Sequence, residues 1–281
     1  MNTKRYSMDH VFIDEIKKNQ VFQATARIPI AYKTSGPEYE MLKEEYHFSD
    51  FVGERDFDKA FNLLAWVNRH FRHTGNYDNS DRQDALTLLK LAFDSGYGIN
   101  CLAMSIVLCE CLLAVNVKAR VMYMMPKEPN DSDNHVVVEA FISELNKWVM
   151  LDPTYGSYCL DADGNILNLY EMRNCIAEGK EYHFSNAINY NGQTVDDLDD
   201  VKNYYAKNLF FFRCKSVQGY GRHIECGDIL ELAPKGFDVH GRMVENLLFR
   251  INTYGNHKTF QTWMAYEKSL DNQYIDIASI Y

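Results

Sequence analysis

Several kinds of segment are missing from this chain of 281 residues. No apolar run approaches the ~20 residues that a membrane helix needs, which sets aside a helical membrane protein. Met1 to Gln20 is polar and charged and holds no secretory signal. The cysteines number seven, an odd count without regular spacing. Free thiols in a reducing compartment are therefore expected, with the cytoplasm as the location. Paired Cys-x-x-Cys motifs are lacking, and Cys109-x-Cys111 does not replace them. His70 and His73 have no third ligand at suitable spacing, so they read as surface histidines, and neither a metal nor any other cofactor is expected. Surplus positive charge is absent as well. A formal net charge of −10 argues against nucleic acid or an anionic membrane as partner. No internal repeat or low-complexity linker divides the chain, which favours one compact unit.

What is present is an ordinary globular balance, 46% hydrophobic and 24% charged, with 14% aromatic residues that suggest a well-filled core or a wide groove. The informative stretch runs from Ser95 to Thr154. Ser95-Gly96-Tyr97-Gly98-Ile99-Asn100 is a glycine-punctuated loop that delivers Cys101 to the start of the apolar, helix-like run Leu102 to Ala114. Asn100 is the expected N-cap, and Asn116 can adopt the left-handed conformation that stops a helix. A thiol in the first turn feels the positive end of the helix dipole, which favours thiolate. The amide of Cys101 is left among the unpaired donors there, free to cradle an oxyanion.

Two strand-like segments follow, Asn134 to Phe141 and Lys147 to Asp152. If Ile142 to Leu145 forms their loop, Phe141 pairs with Asn146 and His135 lies directly opposite Asp152, about 4.5–5.5 Å away at Cβ. Alternation then puts His135, Val137, Glu139, Phe141, Trp148, Met150 and Asp152 on one face, and Val136, Val138, Ala140, Val149 and Leu151 on the other. A cysteine, an imidazole and a carboxylate in this arrangement are the parts of a thiol triad: Cys101 attacks a carbonyl, His135 shuttles the proton and Asp152 fixes its tautomer. Tyr97, Asn100, Asn134, Glu139 and Trp148, which flank these positions, are the candidates for lining a substrate groove.

The Gly-x-x-Cys-x-x-x-Ser pattern of Gly98 to Ser105, the strand Val117 to Val121, Asp133-Asn134-His135 with Glu139 beyond it, and Trp148 to Thr154 together resemble the transglutaminase-like superfamily. The resemblance implies an α+β, papain-like transglutaminase core, with a nucleophile helix packed on an antiparallel sheet and with N- and C-terminal additions. It implies Cys101 as nucleophile, His135 as base and Asp152 as its orienting partner. Related enzymes often complete the oxyanion hole with an upstream side chain, for which Trp66 and Tyr77 are candidates; core packing for Trp66 and loop anchoring for Tyr77 are the competing roles. Ile99 and Leu102 depart from the glycine and the aromatic or acidic residue that the family often carries beside its cysteine. Those departures bear on the acyl pocket.

Along the rest of the chain, Ala26 to Ile30 reads as a strand and Glu38 to Glu45 as a short helix. Asp56 to Arg72, capped by Asp56, is a longer helix, and another opens at Ser80-Asp81 and ends at Ser95-Gly96. Lys118 to Met125 is a strand. Asp161 to Asn165 resembles half of a calcium loop but lacks its closing glutamate, so a tight turn is expected. Leu169 to Glu178 and Val201 to Ala206 read as helices. The tail reads as mainly antiparallel strands, Leu209 to Cys214, Ile229 to Leu232 and Asn246 to Asn252. The expected division is residues 1–54 as an N-terminal extension, 55–160 as catalytic core and 161–281 as a C-terminal extension packed on it. Three functions fit: a cysteine-dependent amide hydrolase acting on a peptide, protein or small amide, an amide acyltransferase, or a binding module with a silent triad.

Overall fold

The computed structural model describes residues 10–185, 188–221, 228–255, 258–270 and 273–281. Its centre is the helix α5, Cys101–Ala114, apolar on every side and buried over almost its whole length. A helix without a polar face has to be surrounded. Here helices Pro37–Glu45 (α2), Asp56–His70 (α3) and Ala85–Ser95 (α4) cover one side, and strands Ala119–Met125 (β2) and His135–Ile142 (β3) the other. Another short helix, His10–Lys18 (α1), precedes them, in a segment to which the sequence assigned no element.

The sheet has five antiparallel strands in the order β11-β9-β2-β3-β4, where β4 is Lys147–Leu151, β9 is Phe211–Lys215 and β11 is Ile229–Leu232. The last third of the chain therefore adds two strands to the sheet that carries His135. Val136, Val138, Ala140, Val149 and Leu151 pack toward α5. Val137, Met150, Met122 and Met124 pack on the opposite face, against helices Leu169–Glu178 (α6) and Leu198–Asn208 (α7). This is the face assignment that alternation predicts.

The register differs from the expected one. Ile142 pairs with Lys147 and Phe141 with Trp148, because the turn is Ser143–Asn146 and Asn146 takes a left-handed conformation at φ 47°. The shift is even, so every side chain stays on its face, but His135 and Asp152 become diagonal neighbours.

Local boundaries also move. Asp84, not Ser80 or Asp81, caps α4 through the Thr87 amide, and Arg55, not Asp56, precedes α3. The strand expected at Ala26 to Ile30 is reduced to Ala31–Tyr32, where the chain passes Pro29, and only Ala26 makes a bridge within the earlier stretch. Asn246 to Asn252 lies inside a helix, Val239–Tyr254, with Asp238 as its cap and Val239 and Leu247 buried on one side. Alternation over a few residues had imitated a strand there.

Candidate active site

The site sits where β3 begins and β4 has just ended, with the N-terminus of α5 on one side of the sheet and α7 on the other. Asn100 caps α5, its Oδ1 accepting from the Ala103 amide at 3.0 Å. Its Nδ2 donates to the carbonyl of Tyr77 and to Asn79 Oδ1. Cys101, half-buried, is thereby fixed in the first turn. Among the described residues no acceptor meets its amide.

Gly98 explains how the loop before Cys101 comes so close to the end of α3. A Cβ there would lie 2.9 Å from Thr74 Cγ2 and 3.0 Å from the carbonyl oxygen of Arg72. Without one, Ile99 donates to the Arg72 carbonyl and Thr74 to the Ile99 carbonyl, both at 2.9 Å, in a short parallel bridge between His73 and Ile99.

His135 is 2% exposed and its Nε2 lies 2.6 Å from Asp152 Oδ2. Asp152, fully buried, takes four donors. The Tyr205 hydroxyl joins His135 on Oδ2, while the amides of Thr154 and Tyr155 reach Oδ1 at 2.8 and 3.3 Å. A carboxylate out of water needs that degree of satisfaction. Behind it, the turn Pro153–Gly156 is held by Asn68 of α3, whose Nδ2 donates to the carbonyls of Pro153 and Thr154. Gly156 is required at that contact, for its φ is 58° and a Cβ would meet the Asn68 side chain at 2.6 Å.

These contacts set the charges. Burial pushes the Cys101 thiol up, but the imidazoles of His135 and His73 outweigh it and draw the thiol down to about 6. Burial would discharge His135; Asp152, and then the Cys101 thiolate, raise it to about 10. Burial pushes the Asp152 carboxyl up, while His135, Tyr205 and the Thr154 amide hold it below the usual carboxylate range. The favoured state at neutral pH is thiolate, imidazolium and carboxylate in a row. Because the pair titrates together, that row is a property of all three groups. Such a thiolate can attack an electrophilic carbon, and the imidazolium can hand its proton to a departing group.

The other residues singled out in the sequence fall into place differently. Trp66 stacks on Phe51 and packs against Tyr46, Phe48, Phe93 and His70, while the Tyr77 hydroxyl is held by Asp81 and Gln83. Among the described residues neither side chain hydrogen-bonds Cys101; both occupy the packing and anchoring positions that the sequence also allows. Glu139 is fully buried and paired with Arg120, its cross-strand neighbour, and also accepts from Leu169 and Tyr281. Trp148 covers the same guanidinium at 4.0 Å. Both leave the groove, since an arginine and a glutamate opposed on one sheet face satisfy each other in the core. Asn134 lends its carbonyl to the Tyr204 hydroxyl and Tyr97 is 57% exposed in its loop. Asp161 closes a tight turn by accepting from the amides of Asp163 and Asn165.

His70 is exposed, as expected, but His73 is not a free surface residue. Its Nδ1 meets the Tyr190 hydroxyl at 2.8 Å and its ring acts on Cys101. Tyr205, Tyr190 and Tyr204 come from beyond residue 160, and their distance in sequence hid them. Gly98 was the one local signal, because a glycine next to a loop bend marks a close backbone approach. Two shallow clefts of about 480 and 520 Å³ lie around Trp66 and Phe48, away from the thiol. Neither is lined by a cysteine. Among the described residues no cluster of three metal-ligating side chains occurs, and no helix is long and apolar enough to cross a membrane.

Residues 50–153 match the family model of the transglutaminase-like superfamily. No curated protein matches the chain. Among solved structures, a candidate cysteine protease from Cytophaga hutchinsonii is similar at 13% identity, over 63% of this chain and 54% of the other, with a TM-score of 0.34. A candidate protease from Parabacteroides distasonis is similar at 14% identity, over 56% of this chain and 30% of that one, with a TM-score of 0.31. The chain thus spans about half or less of the length of these two structures.

Proposed function

We propose that the transglutaminase-like core at residues 50–153 serves here as a cysteine-dependent amide hydrolase working through a thioester. The observation that carries the reading is the contact of His135 Nε2 with Asp152 Oδ2 at 2.6 Å, on the imidazole that also faces Cys101. A silent binding module would have no use for a buried carboxylate with four donors beside a half-buried thiol.

In the reaction, Cys101 Sγ bonds to the amide carbon and its carbonyl π electrons move to oxygen. The oxyanion collapses, the C–N bond breaks, and the His135 imidazolium gives its proton to the leaving nitrogen. The products of this half are an amine and the Cys101 thioester. His135, now neutral, takes a proton from water as the water oxygen attacks the thioester. The second collapse releases the acid and restores the thiolate with its imidazolium.

A second reading, transfer of the acyl group to an amine, is favoured by the tyrosines that surround His135. The rings of Tyr204, Tyr205 and Tyr155 have centroids 5.4, 5.7 and 6.1 Å from the imidazole, and such a wall can restrict water. One experiment tests both. A peptide library is digested with the protein and with Cys101→Ala, and a primary amine is then added at rising concentration to any substrate found. Free acid that persists as sole product supports the hydrolase. Saturable conversion to the substituted amide replaces it with the transferase, and cleavage that survives Cys101→Ala removes both.

A further inference from the structure

The thiol has two imidazole neighbours, and the second is built in with as much care as the first. His73 is anchored through its backbone by Asn191, which accepts from the His73 amide at 2.7 Å and donates to its carbonyl at 3.2 Å. Asn191 itself has a left-handed backbone, φ 54°, in the turn between the short strands Asn189–Tyr190 (β7) and Gln193–Thr194 (β8). The hairpin therefore grips His73 at three points, the third being Tyr190 on Nδ1. The bridge to Ile99 fixes the same residue from the other side, two positions before Cys101.

The hydrogen bonds select a protonation pattern. Burial first, and the Cys101 charge next, push the Tyr190 phenol up, so it keeps its proton and can donate it to Nδ1. Nδ1 then holds no hydrogen, and a neutral ring carries its hydrogen on Nε2. A thiolate accepts and never donates, so an Nε2–H is what the Cys101 side of the ring requires. Among the described residues His73 hydrogen-bonds to Tyr190 and Asn191, neither of them charged, whereas His135 has the Asp152 carboxylate.

We propose that His73 is a second catalytic histidine, a hydrogen-bond donor through Nε2 that acts with the Cys101 amide on the oxyanion formed when the thiol attacks, leaving proton transfer to His135. The role rests on the acyl chemistry proposed above. As sulfur bonds to carbon its negative charge passes to the adjacent oxygen, and a donor that faced the thiolate is already placed to follow it. Such a donor costs no reorganisation at the moment of reaction. Tyr190 is the positioning residue that keeps the hydrogen on the reacting side.

Two probes separate this role from thiol activation. Iodoacetamide alkylates a thiolate without forming an oxyanion, whereas p-nitrophenyl acetate must pass through one. His73→Ala should slow acetylation of Cys101 by on the order of 10²–10³, while alkylation on its high-pH plateau stays within a few-fold of the parent. His73→Gln, which keeps an N–H at a similar reach, should recover most of the loss. Tyr190→Phe, which keeps the ring, should slow acetylation and spare plateau alkylation. These two variants carry the test if His73→Ala does not fold. Acetylation and plateau alkylation that fall by the same factor, or His73→Gln as slow as His73→Ala, overturn the proposal. If the parent protein acetylates Cys101 and the His73 variants match it, the inference alone is lost. If the parent is alkylated but never acetylated at Cys101, the acyl-enzyme reading fails and takes this one with it.

Discussion

Replacing Tyr205 by phenylalanine removes a single oxygen from the molecule, and the structure says what that oxygen is worth. Tyr205 is fully buried in α7 and its hydroxyl donates to Asp152 Oδ2, the same oxygen that faces His135. No cavity larger than a hydroxyl is created, so the cost is the lost bond. Hydrogen bonds to charged groups contribute about 1.5–3 kcal/mol, and the carboxylate here has no water to turn to. Tyr205→Phe should therefore lower stability by about 1.5–3 kcal/mol at pH 7, read from the shift of the urea midpoint at constant slope. Tyr204→Phe is the control. Among the described residues its hydroxyl has two long contacts of 3.4 Å, with Asp133 Oδ1 and the Asn134 carbonyl, so its loss should cost less than about 1 kcal/mol. The pH dependence has a definite sign. Asp152 is held below the ordinary carboxylate range, so its contribution is full above that range and is lost as pH falls through the folded value. The deficit of Tyr205→Phe should thus be greatest near neutrality and narrow in acid. Equal losses for the two tyrosine variants at pH 7, or a deficit that widens in acid, would refute the reasoning.

Alkylation of Cys101 should rise with pH about a midpoint near 6, where the thiol is held, and should far outrun Cys109, Cys111 and Cys159, which burial pushes well above their usual value; a midpoint of an unperturbed thiol would contradict it. Cys226 lies outside the described residues and needs its own peptide in the mass spectrum. His135→Ala should slow that alkylation at pH 7 and, by leaving the Asp152 charge buried without its partner, cost about 3–5 kcal/mol. His135→Gln, which returns an N–H, should regain part of the stability but not the rate, and full recovery of both would show that His135 acts only as a filler. Gly156→Ala should destabilise by more than about 1 kcal/mol, since the new methyl meets both a left-handed backbone and the Asn68 amide; thermal melting within error of the parent would rule that clash out.

How much of this could be read beforehand depends on the range of the physics involved. Asn100, Cys101 and the end of α5 obey capping rules that act over a few residues, so they were legible. The faces of the hairpin were legible too, because alternation survives an even slip. Its register was not, since one left-handed Asn146 moved the turn by a residue on each strand. That slip should have parted His135 from Asp152 had pairing alone held them. They meet because Asp152 leaves the ladder and is turned by its bridge to Ser157 and by the amides that follow. Glu139 looked like a groove residue because its partner Arg120 is on another strand. His73 looked exposed because Tyr190 and Asn191 lie more than a hundred residues further on. The helix at Val239–Tyr254 was missed for a different reason, a short polar–apolar alternation that helical spacing also permits.

The loop before His135 is tied to Glu15 through Lys127 at its start, and otherwise is fastened from later sequence. Lys207 donates to Asp131 Oδ2 and to the Asp133 carbonyl, Arg242 to the Glu128 carbonyl, and Asn246 to the Pro129 carbonyl. A chain made from its N-terminus onward has therefore synthesised Cys101, His135 and Asp152 well before the tyrosines that meet His73 and Asp152 exist. Until Tyr190 to Lys207 have left the ribosome, Asp152 lacks a hydroxyl, His73 lacks its phenol and the loop lacks its Lys207 ties. The nascent thiol should then behave as an ordinary cysteine. Ribosome-arrested chains ending near residue 180 and near the C-terminus would show this as a jump in alkylation rate at pH 6.5, and equal rates at the two lengths would deny it. Reactivity in this molecule would be acquired late, as a product of completed synthesis, which spares the translation machinery a thiolate in search of a carbonyl.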